Sequence, residues 1–267
     1  MFCAFALAGT SVLSARYVSV KLGTFTITAA SLFFALLVLL PLCRGKLAGT
    51  VRSLSRTDLF FLAVQALFGM FLFRMFLIVG LTRTSAGEAG ILTGATPAFT
   101  AILAWAALKE PYGRKKVAGI FCTVTGILFI QGLLLPENGF SGEHFTGNML
   151  VLCAAACESL FNIFSRVFVS RSGSGGLHPI DPAVQTALVS AAAMLLCLLP
   201  ALFESPLTRL PAIDWKEWFA LFWYGAFVTA LAFVFWYAGI RRCEAVTAAF
   251  SGIFLIGSSG TKEAADF

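Results

Sequence analysis

Long apolar segments separated by short polar ones make up most of this chain. The segments do not alternate with the period of two that is typical of half-buried strands, and most approach the roughly twenty residues that a helix needs to cross a bilayer. We predict nine membrane-spanning helices, at residues 2–20, 26–43, 58–81, 85–110, 117–135, 147–169, 183–203, 215–240 and 244–256. The pattern therefore predicts an all-α, polytopic transmembrane helical bundle.

The composition agrees with this prediction. Hydrophobic residues make up 59% of the chain, charged residues 12%, and the mean hydropathy is +0.89. A soluble domain carries about a quarter charged residues, so this chain has too few to cover a surface that faces water. The net charge of +6 is not read as a nucleic-acid signal, because basic residues of membrane proteins collect in cytoplasmic loops. The lipid bilayer is the expected environment, with no nucleic-acid partner.

Lysines and arginines are distributed unequally between the predicted loops. The loops after the second, fourth, sixth and eighth helices hold twelve of them, whereas those after the first, third, fifth and seventh hold four. Positive charge marks the cytoplasmic side. We therefore expect a multi-pass protein of the plasma or inner membrane with a cytoplasmic N-terminus.

No enzyme motif is present. The chain has no HExxH, GxSxG or P-loop, and its two histidines, His144 and His178, fall in loops expected on opposite sides of the membrane. The seven cysteines include no CxxC pair. We expect them to pack as small buried hydrophobic residues rather than to form a disulfide or a metal site. The sequence thus predicts no catalytic residue, no metal and no cofactor. Without a P-loop, movement of a solute would be downhill or coupled to an ion, most simply a proton.

The chain also resembles itself at an offset of 159 residues. Residues 71–96 (FLFRMFLIVGLTRTSAGEAGILTGAT) align with residues 230–255 (ALAFVFWYAGIRRCEAVTAAFSGIFL), and a basic turn follows an aligned glycine in both. A unit of five helices is odd in number, so a second unit would enter the membrane inverted relative to the first. Inverted repeats around a site at the membrane midplane are typical of secondary transporters.

The segment 85–110 (SAGEAGILTGATPAFTAILAWAALKE) is the most distinctive. It combines small residues at four-residue spacing with a proline near its middle, so that one face allows close approach of another helix. With the glycine-spaced segment that follows, it resembles the fourth and fifth helices of EamA-type members of the drug/metabolite transporter superfamily. The residues that match are Ala86, Pro97, Ala104, Leu108, Glu110, Gly119 and Gly126.

This resemblance implies ten helices in two five-helix repeats that move small metabolites by alternating access. Residues 1–135 would form the first repeat and 147–256 a second repeat that stops within its fourth helix, followed by a flexible, non-native-looking tail at 257–267. Two further departures are Ala8-Gly9 in place of a Trp-Gly pair, and Ser31 where the family often has an arginine.

Ionisable groups inside a membrane are costly and point to function. Glu158 lies near the centre of the sixth predicted helix, and Asn162 and Arg166 follow on the same face. We expect Glu158 and Asn162 to line a transport pathway, with Glu158 as the carrier of a coupling proton. The alternative is a structural pair between Glu158 and a lysine or arginine of another helix.

The remaining candidates for the pathway each have a structural alternative. Arg74 lies well inside its helix and could anchor an anionic substrate or pair with Glu158. Glu88 could contact substrate or cap a helix N-terminus, and Pro97 could line water or form a packing kink. The aromatic candidates, which could stack on a substrate or pack in the core, are Trp105, Trp236 and Tyr237.

The predicted function is a secondary-active or facilitative transporter of small metabolites such as amino acids. One alternative is an inactive, truncated membrane protein, because an incomplete second repeat leaves polar groups without neighbours. A membrane enzyme acting on lipids is a weaker alternative, since no catalytic groups converge at one interface.

Overall fold

The computed structural model describes residues 2–108, 118–122, 124–126, 142–174 and 180–240. Every regular element within these ranges is helical, which confirms the predicted fold class. The helices are α1 (Phe2–Val18), α2 (Thr24–Ser53), α3 (Arg56–Ala66), α4 (Phe73–Leu81), α5 (Ala86–Thr93), α6 (Thr96–Leu108), α7 (Gly142–Ser174), α8 (Pro182–Phe203), α9 (Pro206–Arg209), α10 (Trp215–Trp223) and α11 (Ala232–Ile240). Two π-helical segments, Leu67–Leu72 and Tyr224–Leu231, join α3 to α4 and α10 to α11, and a 3₁₀ turn covers Leu210–Ala212.

Six helical stretches of the described residues are long and apolar enough to cross a membrane. Two of them are continuous stretches with a π-helical middle: the Arg56 span (α3, Leu67–Leu72 and α4) and the Trp215 span (α10, Tyr224–Leu231 and α11). The six are Thr24–Ser53, Arg56–Leu81, Ala86–Ala106, His144–Phe168, Pro182–Phe203 and Trp215–Gly239. They make this protein a polytopic transmembrane bundle.

The predicted end of the second helix at residue 43 is wrong. Helix α2 continues through Pro41 to Ser53, so the basic residues Arg44, Lys46 and Arg52 lie on its last turns and not in a loop. At 1.5 Å per residue, 30 residues extend about 45 Å, well beyond the roughly 30 Å apolar layer. The basic end therefore reaches water, where positive charge also interacts favourably with the helix C-terminus.

The sixth predicted helix is longer than expected at both ends. Helix α7 begins at Gly142 instead of residue 147, and it ends at Ser174 instead of residue 169. The predicted loop before it and the linker after it are correspondingly shorter. The ninth predicted helix, the C-terminal tail and most of the fifth predicted helix lie outside the described residues.

Helix α2 forms the centre of the bundle, where α8 and the second π segment pack along it. Gly225 permits the closest approach in this region. A Cβ at this position would overlap the carbonyl oxygen of Ser31 and lie 2.7 Å from the Cβ of Phe34. The absence of a side chain at Gly225 therefore sets the distance between α2 and the Trp215 span.

The Arg56 and Trp215 spans have the same local architecture. Helix α10 begins 159 residues after α3, and α11 begins and ends 159 residues after α4. At the same offset, the first π segment corresponds to residues 226–231, which lie within the second π segment. Because π-helical turns are rare, their recurrence at equivalent positions is a structural similarity that apolar composition alone does not explain.

The N-termini of the two spans are capped in the same way. Ser55 accepts a hydrogen bond from the backbone of Asp58, whose carboxylate accepts from the backbone of Ser55. Asp214 and Glu217 form the same reciprocal capping box 159 residues later. Each box satisfies backbone N–H groups that a helix N-terminus leaves without partners.

Candidate functional site

The packing of α6 against α7 places Glu158 beside Thr96. Glu158 is half-buried on α7, and its Oε2 lies 2.8 Å from the Thr96 hydroxyl. No lysine or arginine of the described chain lies within ion-pair distance of Glu158. The alternative of a structural ion pair for Glu158 is therefore not found in the part of the chain that the structure describes.

The Thr96 hydroxyl has a second neighbour, the carbonyl oxygen of Thr93 at 2.8 Å. A hydroxyl carries a single hydrogen and can donate it to only one of these two oxygens. If Thr96 donates to an ionised Glu158, the carbonyl is left without this bond. If Thr96 donates to the carbonyl, a protonated Glu158 can donate to the hydroxyl oxygen. The contact therefore accommodates both protonation states of the carboxyl group.

Pro97 explains why Thr96 occupies this position. The fourth predicted helix is divided at Gly94 and Ala95 into α5 and α6. Pro97 has no N–H to donate to the carbonyl four residues earlier, that of Thr93. The Thr96 hydroxyl lies within hydrogen-bond distance of that carbonyl, and Ser159 of α7 donates to the carbonyl of Thr96 at 2.9 Å. The Thr96 hydroxyl can thus satisfy the carbonyl that Pro97 leaves without its usual donor, and Ser159 links α7 to the same turn.

Asn162 extends the same interface by one turn. It is buried, and its Nδ2 lies 3.4 Å from the hydroxyl of Thr100 on α6. Glu158 and Asn162 on α7 therefore face Thr96 and Thr100 on α6, four residues apart on each helix. The structure brings together two of the predicted site residues and adds two threonines that the sequence analysis did not identify.

Arg74 lies in a different part of the bundle. Its side chain is 2% exposed, and its Nη1 donates to the hydroxyl of Ser31 on α2 at 2.7 Å. Its Nη2 donates to the hydroxyl of Thr229 in the second π segment. The guanidinium carbon lies 4.4 Å from the centre of the Tyr224 ring, which is a cation–π contact. These four residues are called the Arg74 cluster below.

A third polar group surrounds Gln65 on α3. Its Oε1 accepts hydrogen bonds from Ser165 at 3.3 Å, Gln185 at 3.0 Å and the hydroxyl of Tyr237 at 2.9 Å. Gln65 precedes Arg74 by nine residues, about 13 Å along a helix. Tyr237 was predicted as a site residue, but Gln65 and Gln185 were not. An amide inside an apolar segment could have indicated them, because a buried amide needs a hydrogen-bond partner.

The remaining predicted site residues lie elsewhere. The carboxylate of Glu88 is 2.6 Å from the Thr84 hydroxyl and 3.8 Å from Nδ1 of His144, near the start of α5. Trp236 is buried against Phe161, with ring centres 6.4 Å apart. Trp105 is 56% exposed. The structure therefore places the candidates at several positions and not in a single cluster.

Glu204 forms a further contact between helices that was not predicted from the sequence, and it is half-buried. It follows α8, and its carboxylate accepts from the backbone N–H groups of Phe25 at 3.1 Å and Thr26 at 2.8 Å. A Cβ at Gly23 would overlap this carboxylate. Glu204 thus caps the N-terminus of α2 from another helix, where negative charge is favourable.

Comparisons with known proteins agree on one family. A model described as "EamA-like transporter family" matches residues 1–132. The chain is 31% identical over 253 residues to the "Uncharacterized transporter YetK" of Bacillus subtilis, covering 94% of this chain and 72% of that protein. It is 27% identical over 201 residues to the "Uncharacterized transporter YyaM" of the same organism, covering 74% of this chain and 62% of YyaM.

A solved crystal structure has the same fold. It matches with a TM-score of 0.59 and 21% sequence identity, over 97% of this chain and 86% of that chain. At this identity the similarity concerns the fold alone. The relationship to YetK extends over nearly the whole chain, and it agrees with the resemblance predicted from the segment 85–110. This protein belongs to the EamA-like transporter family, and it is a multi-pass membrane transporter of a small-molecule substrate.

Proposed function

We propose that this protein moves a small polar metabolite, such as an amino acid, by alternating access, and that a proton is coupled to the movement through Glu158. The observation that carries the proposal is the contact of Glu158 with Thr96 inside the bundle, without a lysine or arginine partner among the described residues. A carboxylate in such a place is costly unless it is protonated or compensated during the transport cycle.

The geometry around Thr96 supports the role of a proton carrier. The hydroxyl lies 2.8 Å from both the Thr93 carbonyl and Glu158, so it can donate to an ionised carboxylate or accept from a protonated one. Asn162 and Pro97 belong to the same pathway in this proposal. Glu88, Trp105, Trp236 and Tyr237 are proposed to line its other parts.

The internal correspondence supports alternating access. The Arg56 and Trp215 spans share their start, their π segment and their capping box at the 159-residue offset. We propose that residues 1–135 and 147–256 form two repeats with opposite orientations, related about the midplane. Rocking of one such unit against the other exposes a central site to either side in turn.

We propose that the protein lies in the plasma or inner membrane, with its N-terminus in the cytoplasm. The distribution of lysines and arginines supports this orientation. We propose no enzymatic activity, since no motif in the sequence supplies a nucleophile or a hydrolytic metal site.

The test is transport by the purified chain in proteoliposomes, with labelled amino acids and an imposed pH gradient. We expect Glu158→Gln to abolish accumulation driven by the gradient, because the amide cannot release a proton. Asp58→Asn is the matched control, since it changes an exposed carboxylate of a capping box to its amide. Accumulation by Glu158→Gln at the wild-type level, with both proteins inserted equally, would refute the role of Glu158.

A further inference from the structure

The Arg74 cluster contains a buried charge without a counter-charge. No aspartate or glutamate of the described chain lies within ion-pair distance of the guanidinium group, whose residue is 2% exposed. Burying a cation costs free energy, which an anionic partner, hydrogen bonds or a cation–π contact can offset. A protein that retains such a charge in its interior therefore has a use for it.

The hydrogen bonds within the cluster are incomplete. A guanidinium group has five N–H donors, and within the described residues two interactions are found, to Ser31 and Thr229. The hydroxyl of Tyr224 also has no hydrogen-bond partner in that part of the chain, although this residue is 2% exposed. The guanidinium group thus has more N–H donors than these two contacts use, and it lies over the ring of a tyrosine whose hydroxyl has no partner among the described residues.

Arg74 is not needed to satisfy its neighbours. The hydroxyl of Ser31 donates to the carbonyl of Thr28 at 2.9 Å, and that of Thr229 donates to the carbonyl of Tyr224 at 2.8 Å. Both hydroxyl hydrogens are therefore already paired within their own helices. Removing the guanidinium group would leave no buried donor stranded, which argues against a purely structural role.

The equivalent positions at the 159-residue offset carry no charge. The equivalents of Ser31, Thr229 and Arg74 are Ser190, Met70 and Phe233. The hydroxyl of Ser190 lies 3.7 Å from the sulfur of Met70. The same local architecture thus packs without a buried arginine, so the scaffold does not require one.

We propose that the Arg74 cluster binds the carboxylate group of a small carboxylic acid or amino acid, and that this compound is the substrate. The inference rests on the proposed transport function, and it adds the substrate class. A planar guanidinium group matches a carboxylate through two parallel hydrogen bonds, and the Tyr224 hydroxyl supplies a further donor. One buried cation neutralises the single charge of a carboxylate but not the higher charge of a phosphate.

The residues of the cluster are buried, so a ligand can reach it only when the helices move apart. Two irregular segments lie at the site. Thr229 and Tyr224 belong to the second π segment, and Arg74 follows the first by two residues. Segments of this kind often occur at functional sites, where the helix departs from regular geometry.

Binding is tested by thermal unfolding of the purified chain in detergent, without any transport measurement. The probes are acetate, L-alanine, L-glutamate and L-tryptophan, the amides of these acids, and inorganic phosphate. We expect at least one carboxylate to raise the unfolding temperature, and its amide and phosphate not to do so. Arg74→Gln should weaken this binding by about tenfold to a hundredfold, the effect of losing charged hydrogen bonds. Ser190→Ala, at the equivalent of Ser31, should leave it unchanged.

A second measurement does not depend on the ligand. Without any probe, Arg74→Gln should unfold at the same temperature as the wild type or at a higher one, because it removes a buried charge that has no anionic partner among the described residues. A clear decrease in that temperature would identify Arg74 as structural and overturn the proposal. Equal stabilisation by acid and amide, undiminished binding in Arg74→Gln, or no stabilisation by any carboxylate would also overturn it.

The two proposals fail in different ways. If the chain transports an amide or amine as fast as the acid, transport stands and the carboxylate site is wrong. If carboxylates bind through Arg74 but no probe crosses the membrane of proteoliposomes, the site stands and the proposed transport is wrong.

Discussion

The Arg56 and Trp215 spans are built alike but carry different chemistry. Both begin with a reciprocal capping box and pass through a π segment in their middle, at the same offset of 159 residues. Their side chains at equivalent positions differ, most clearly where the buried Arg74 corresponds to the half-buried Phe233. The backbone architecture therefore accommodates either a cation or an aromatic ring at this position, so the fold of the span does not by itself require the charge.

A second difference concerns the polar groups. Gln65 and Tyr224 are equivalent in the two spans, and each is buried with one polar atom that has no partner among the described residues. Gln65 nevertheless accepts three hydrogen bonds through its other atom, whereas Tyr224 lies against the Arg74 guanidinium group. One position is thus part of a neutral network, and the other is part of a charged cluster.

The largest effect is expected from giving the Trp215 span its own arginine. Phe233 packs on Phe161 and Tyr237, with ring centres 5.6 Å and 6.4 Å away. Phe233→Arg would lose these contacts and place a second charge at a half-buried position inside the bundle, at a cost of about 3 kcal/mol or more. Unfolding in detergent measures the loss, and Phe233→Leu is the control for packing alone. If the two variants unfold alike, the charge is tolerated at both equivalent positions.

An intermediate effect is expected where a glycine corresponds to an alanine. Gly225 lies against Ser31 and Phe34 of α2, whereas its equivalent, Ala66, already carries a Cβ and is fully buried. Gly225→Ala should destabilise the protein by about 1–3 kcal/mol, because the backbone of α2 must move. Ala66→Gly should cost about 1 kcal/mol through helix propensity. Similar thermal stability of Gly225→Ala and the wild type would mean that α2 can shift freely.

The smallest effect concerns Lys21, which pairs with both residues of the capping box of the Trp215 span. Its Nζ lies 2.7 Å from the carboxylate of Glu217 and 3.2 Å from that of Asp214. The hydrogen bond to Glu217, followed by that to Asp214, raises the pKa of Lys21 above its ordinary value of 10.5. A raised pKa in the folded state stabilises the fold below pH 10.5, and this stabilisation is lost as the pH rises through the higher folded value.

The matched variant for this comparison is Lys21→Met. We expect the unfolding temperatures of the wild type and Lys21→Met to differ at pH 8 and to converge above pH 10.5. Asp58→Asn serves as a control, because it changes the capping box of the Arg56 span without affecting Lys21. A difference between wild type and Lys21→Met that stays constant up to pH 12 would show that the lysine acts through packing and not through its charge.

The helices were predictable because each apolar segment must satisfy its own backbone hydrogen bonds in lipid. The ends were less predictable. The end of α2 was placed ten residues too early, at Cys43 instead of Ser53, because charged residues after an apolar segment fit a loop and an emerging helix equally well. The capping box of Ser55 and Asp58, which the sequence does contain, marks where the next helix begins.

The candidate site was only partly predictable. Arg74 and Glu158 stand out in the sequence because each is an ionisable group inside an apolar segment. Their neighbours do not stand out, because hydroxyl side chains such as Thr96 and Thr229 are common in membrane helices and pair within their own helix. Which of them also meets a charge depends on how the helices cross.

By itself the sequence determined the solvent, the helical class and the family, because these follow from properties of single segments: hydropathy, length and a recognisable motif. Only the tertiary structure decided that Glu158 meets Thr96 and that Arg74 meets two hydroxyls and an aromatic ring. Contacts between residues 62 or 155 positions apart depend on the packing of whole helices. Helix packing is a collective result of shape along two surfaces, so no single segment specifies it.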